Sequence, residues 1–234
     1  MLLIALSALL PICTVAFDGP LPIFEELAFS NQVVKQAFAQ VSDDDIYGTC
    51  DPNLLDQAQR KFNTDLGINT DLTWRNASSL NYAVNKLINT GKVDNFVNVC
   101  NARRDYVGVL LSMYPFCVNR FFLLQQGNTD FNNAVTYVHL FKHLEFICST
   151  AFDVYQMSLP CIIGVSAHND VYNACFYKFQ QTINAVPNML CDASQTLILC
   201  LENVFKSTCG AETAWMECEM ERLGYAYDCP ALTC

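Results

Sequence analysis

The chain of 234 residues is 52% apolar and 15% charged, and its 13 basic and 23 acidic side chains give a formal net charge of −10. Such a composition excludes a disordered chain. The negative charge works against phosphate backbones, anionic lipid surfaces and sulfated polysaccharide, so nucleic acid is not expected as a partner. Arg60-Lys61 and Arg103-Arg104 are isolated basic pairs that do not reverse this.

Residues 1–16 set the compartment. An apolar run from Met1 reaches Pro11-Ile12-Cys13, with small residues at Thr14 and Ala16 before Phe17-Asp18-Gly19-Pro20. This pattern reads as a signal peptide, which predicts a secreted, extracellular protein. The run falls short of the roughly 20 residues that a spanning helix needs. A second apolar stretch, 106–124, is interrupted by Pro115, Asn119 and Arg120, and no membrane insertion is expected.

Downstream, apolar residues recur at helical spacing. Residues 22–41 carry Ile23, Leu27, Val34, Phe38 and Val41 as an amphipathic helix. Asp43-Asp44-Asp45 follows as a solvated turn that lacks the spaced carboxylates of a calcium loop. Asp51 and Pro52 open a helix that Gly67 ends. Further helices are predicted over 79–91, over 94–114 with Pro115 as the stop, and over 117–126. Asp130 caps one long segment reaching Met157, with Tyr137, Leu140, Leu144, Ile147, Cys148 and Ala151 along a single stripe. Beyond Pro160-Cys161 the pattern shortens into helices over 170–186, 192–207 and 212–223. Sustained two-residue alternation is absent, so the expected fold is all-α: a disulfide-rich multi-helix bundle with little or no sheet.

Of 13 cysteines, Cys13 leaves with the leader. The twelve others are Cys50, Cys100, Cys117, Cys148, Cys161, Cys175, Cys191, Cys200, Cys209, Cys218, Cys229 and Cys234. An even number behind a signal peptide predicts disulfides, while the wide spacing argues against zinc. Three of the twelve precede position 148 and nine lie from Cys148 onward, so full internal pairing requires at least one bridge between the halves. Cys191, Cys200, Cys209 and Cys218 repeat every nine residues, which would point successive sulfurs to opposite sides of one helix. Their partners should therefore lie on different neighbours.

Residues suited to catalysis are sparse. His139 and His143 have the four-residue spacing of a metal pair, yet Leu140 stands where zinc proteases carry glutamate, and both fall on the flank or solvent side of the apolar stripe. Glu212, Glu217, Glu219 and Glu221 make an acidic helix, read as a solvated face. His168 is the remaining histidine, and no G-x-S-x-G elbow is present. No catalytic, cofactor-binding or metal-ligating residue is assigned, and the protein is expected not to be an enzyme. Asn76-Ala77-Ser78 is a glycosylation triplet, making Asn76 the candidate acceptor.

From Leu144 the sequence resembles the nematode chondroitin proteoglycan 4-type domain. The shared elements are Leu144-Glu145-Phe146-Ile147-Cys148, Phe152-Asp153-Val154-Tyr155, Leu159-Pro160-Cys161, Val171-Tyr172-Asn173-Ala174-Cys175, the Cys191 and Cys200 pair, Cys209-Gly210 and the Cys229–Cys234 ending. The signal-peptide pattern and the start of this resemblance together divide the chain into a leader (1–16), an N-terminal helical region (17–143) and a cysteine-rich helical region (144–234). It implies an extracellular protein without enzyme activity, in some members carrying chondroitin. Chondroitin attachment needs Ser followed by Gly, and the chain has no Ser-Gly dipeptide, so the domain is taken without the modification. The expected function is that of an extracellular structural or interaction protein, its partner another extracellular protein or a matrix component. The alternative is a helical carrier of a small hydrophobic ligand, motivated by 16 Phe and 10 Tyr.

Overall fold

The computed structural model describes residues 49–234. The leader, the 22–41 helix and the Asp43-Asp44-Asp45 turn lie outside the described residues. Ten α-helices and three short 3₁₀ turns account for the described secondary structure, and no strand occurs among those residues. The fold is an all-α, disulfide-rich bundle.

The first helices follow local chemistry closely. Helix α1 (Pro52–Leu66) starts where Asp51 accepts a 2.9 Å hydrogen bond from Asn53 N. It ends at Gly67, whose φ of 65° lies in the left-handed region that glycine enters without a Cβ penalty. A 3₁₀ turn (Trp74–Asn76) leads into α2 (Ala77–Ile88), and α3 (Val93–Leu110) follows.

Pro115 acts four residues earlier than its position suggests. It has no N–H to give the Leu111 carbonyl, so the helix breaks at Leu111 (φ 51°, ψ −127°). Pro115 then sits in the first turn of α4 (Tyr114–Cys117), and Asn119 caps a separate α5 (Arg120–Gln125).

The long segment expected after Asp130 is two helices, α6 (Phe131–Ile147) and α7 (Phe152–His168), bent by 112°. Ile147, Cys148 and Ala151 continue the apolar stripe through the bend, so periodicity carries no mark of it. The Ser149 and Ala151 amides instead close onto the Phe146 carbonyl. Conversely, α7 runs through Pro160, whose exposed ring lies outside the packing while Leu159 is fully buried. Helices α8 (Asp170–Ala185), α9 (Leu190–Thr208) and α10 (Ala211–Tyr225) complete the bundle, with Gly210 (φ 98°) between the last two. Among the described residues no single helix is long and apolar enough to cross a membrane.

Helix α6 occupies the centre, with α2, α3 and α5 against it from the N-terminal side and α10 from the C-terminal side. The boundary drawn at 143/144 falls inside this helix. Its Phe141 stacks on Tyr106 at 4.3 Å and meets Phe62 at 5.4 Å, while Tyr137 lies edge-on to Trp74 at 6.3 Å. On the other side Phe96 packs on Tyr155 at 4.7 Å, joining α3 to α7.

A chain of buried hydrogen bonds threads the first cluster. Tyr137 OH donates to Gln59 Oε1 at 2.6 Å, so Tyr106 OH, 2.8 Å away, gives its proton to the Tyr137 oxygen. Gln59 Nε2 donates to Asn63 Oδ1, and Asn63 Nδ2 donates to the Asn69 and Leu72 carbonyls at 3.0 and 2.7 Å. The polar groups of this chain are thereby paired end to end, and the loop after α1 is fastened.

Six disulfides use all twelve cysteines: Cys50–Cys117, Cys100–Cys148, Cys161–Cys209, Cys175–Cys200, Cys191–Cys229 and Cys218–Cys234. Cys100–Cys148 is the bridge between halves that parity required. The four regularly spaced cysteines go to four different partners. Arg120, nearly buried among Phe121, Phe131 and Tyr227, forms an ion pair with Asp228 next to Cys229, and so docks the C-terminal tail on α5. Burial lowers its pKa to about 10, which still leaves it charged at neutral pH.

Tyr137→Phe is expected to cost about 2–4 kcal/mol, because it leaves Gln59 Oε1 and the Tyr106 hydroxyl without partners in the core. Urea denaturation of the oxidised protein measures it, and an unchanged midpoint would show that the network contributes nothing.

Candidate functional site

Where α6 meets α10, His139 and His143 pack against Gly224 and Tyr225. Neither histidine faces solvent: His143 is 2% exposed and His139 is half-buried. The expectation of a flank or solvent position is overturned for His143, because neighbouring helices cover most of α6, while half-buried His139 keeps a flank position. The two rings lie 5.2 Å apart, and His139 stands edge-on to Tyr225 at 4.6 Å. Gly224 makes this approach possible, since a Cβ there would fall 2.6 Å from His143 Nε2 and 3.0 Å from His139 Cε1. Burial holds the His139 pKa down at about 4, opposed by an interaction with the Gly224 backbone. Burial and then the neighbouring His139 keep His143 well below the ordinary range. Both imidazoles are neutral at neutral pH.

The acidic helix is also divided by the packing. Glu212 is exposed, and Glu219 is half-buried and accepts from Arg222 at 2.7 Å. Glu217 and Glu221, by contrast, are 2% and 4% exposed, which corrects their assignment to a solvated face. They stand four apart on the stripe of α10 that also carries Ala214, Gly224 and Tyr225. Desolvation raises Glu217 well above the usual carboxyl range, reinforced by the charge of Glu221, and pushes Glu221 up to about 8. Burial, then Glu217, raises the Tyr155 hydroxyl on α7. Glu217 Oε2 and Tyr155 OH make no hydrogen bond among the described residues. The glutamates do fall on the apolar stripe in sequence, but their charge masks that signal.

The pair of carboxyl groups lies inside the helix packing rather than in an open cleft. Among the described residues, no group of three or more His, Cys, Asp or Glu side chains could hold a metal ion. His168, at the end of α7, is not brought into this cluster.

A second feature is an open groove of about 250 Å³ between α8 and α9. Phe179, Met189, Ala193 and Leu197 line it, Lys178 and Asp192 stand in its walls, and the Cys175–Cys200 bridge borders it. Thr182 and Thr196 spend their hydroxyl protons on the Lys178 and Asp192 carbonyls of their own helices, both at 2.9 Å. Sequence inspection missed the groove because its lining combines two helices with no distinctive residue. Asn76, the glycosylation candidate, is exposed at the start of α2.

The buried groups give stability an upper and a lower pH limit. Glu217 and Glu221 favour folding while protonated, so the Glu221 contribution is complete below its unfolded value near 4.5 and is lost as pH rises through about 8. His139 favours folding while neutral, so its contribution is complete above 6.5 and is lost as pH falls through about 4. Between pH 6 and 8 the Tm of the native protein should fall, and Glu221→Gln should flatten that fall, the two proteins differing least near pH 4.5, where Glu221 is protonated both folded and unfolded. An equal slope in the variant would rule out Glu221 as the source.

No family model matches the chain, and neither a curated protein nor a solved structure matches it.

Proposed function

We propose that this is a secreted, non-enzymatic extracellular protein related to the nematode chondroitin proteoglycan 4-type domain. Its disulfide-hardened helices would hold a surface for binding another extracellular protein or a matrix component. The observation that carries this reading is the pairing of all twelve cysteines, from Cys50 to Cys234, in six bridges. Bridges at this density persist in oxidising compartments and not against cytosolic thiol buffers. Aromatic residues support a scaffold role as well, because Trp74, Tyr106, Tyr137, Tyr155, Phe62 and Phe96 fill the core instead of lining an internal chamber.

Expression of the full chain in animal cells tests the proposal. The protein should accumulate in the medium, start after residue 16, and react with no thiol reagent until reduced. Retention inside the cell with twelve reactive thiols would overturn it.

A second reading, carriage of a small hydrophobic ligand, is favoured by the groove between α8 and α9. It predicts saturable binding of a short-chain fluorescent fatty acid. Ala193→Trp, which fills the groove, should weaken that binding at least tenfold, about 1.4 kcal/mol, with far-UV circular dichroism unchanged. Absence of binding to the native protein would end this reading.

A further inference from the structure

We propose that Asn76 carries an N-linked glycan, an inference that rests on the secretory reading above. Asn76-Ala77-Ser78 is the single Asn-x-Ser/Thr triplet in the chain, with the hydroxyl residue at the required second position on. Structure adds what the triplet cannot, namely how the acceptor amide is presented.

Asn76 is exposed and lies at the junction of the 3₁₀ turn and α2. Its Oδ1 accepts a 2.6 Å hydrogen bond from Thr73 N, while Thr73 Oγ1 accepts from Arg75 N at 3.2 Å. This reciprocal cap turns the oxygen edge of the amide inward. The nitrogen edge is held only loosely, since Nδ2 makes a single long contact, 3.4 Å to the Asp71 carbonyl. Neighbouring side chains are engaged elsewhere. Trp74 is fully buried, and Arg75 is drawn toward Asp56 and the Gly127 carbonyl. Ser78 N meets Asn133 Oδ1 at 3.4 Å, a backbone contact that does not involve the acceptor amide.

The chemistry balances with a lipid-pyrophosphate-linked oligosaccharide as donor. Nδ2 forms a bond to C1 of the first sugar, the C1–O bond breaks, and the lipid pyrophosphate departs with the electron pair. One amide proton passes to a base of the transferase, one N–H remains, and nothing is oxidised or reduced. The proton is taken from the weakly engaged nitrogen, whereas the Oδ1 bond that caps the turn persists. The folded turn and the modified side chain are therefore compatible.

The test is the full chain secreted by animal cells, with intact mass measured before and after peptide N-glycosidase treatment in ¹⁸O-water. Loss of one glycan and an ¹⁸O-marked aspartate at position 76 are expected. Ser78→Ala should lose the whole glycan while leaving the Thr73–Asn76 cap in place, which covers the case in which Asn76→Gln fails to fold. Secreted protein with an unmodified Asn76 would overturn this inference and leave the secretory reading standing. Retention in the cell with free thiols would overturn both.

Discussion

Burial of α6 along nearly its whole circumference is the constraint from which most of the architecture follows. A helix from Phe131 to Ile147 with apolar side chains on several sides cannot satisfy them against one neighbour. The chain meets this demand from both directions, with α2, α3 and α5 on one side and α10 on the other. Phe141 and Tyr137 then become the centre of an aromatic cluster gathered from α1, α3 and the Trp74 turn. The 112° bend into α7 brings Tyr155 against Phe96 and closes the core beneath α3.

Disulfides act on this arrangement from its margins. Each native bridge contributes about 2–4 kcal/mol, mainly by restricting the unfolded chain. Cys100–Cys148 ties α3 to the end of α6, so α3 cannot leave the central helix without breaking a covalent link. Cys191–Cys229, Cys218–Cys234 and the Arg120–Asp228 ion pair hold the C-terminal tail against the bundle. Such a distribution holds the helices and the tail in one arrangement without help from a ligand.

The buried acid and imidazole groups are a consequence of the same packing. Placing α10 close to α6 requires Gly224, and it leaves Glu217, Glu221 and both histidines where ionisation is costly. Such groups are usually excluded from cores, and here they keep their neutral forms instead of pairing as ions. Stability is thereby tied to pH at both ends of the range.

Much of this was legible in the residues alone. The all-α class, the ends of α1 at Asp51 and Gly67, and the need for a bridge between the halves follow from periodicity, capping chemistry and parity. These are local or arithmetic properties and need no partner. The tertiary structure alone decided which cysteines pair and where the long apolar segment bends. It also decided that His143, Glu217 and Glu221 are buried. A helical wheel shows which residues share a stripe, but it cannot show how many sides of a helix will be covered. That number depends on neighbours distant in sequence, and it separates a solvated glutamate from one held neutral in the core.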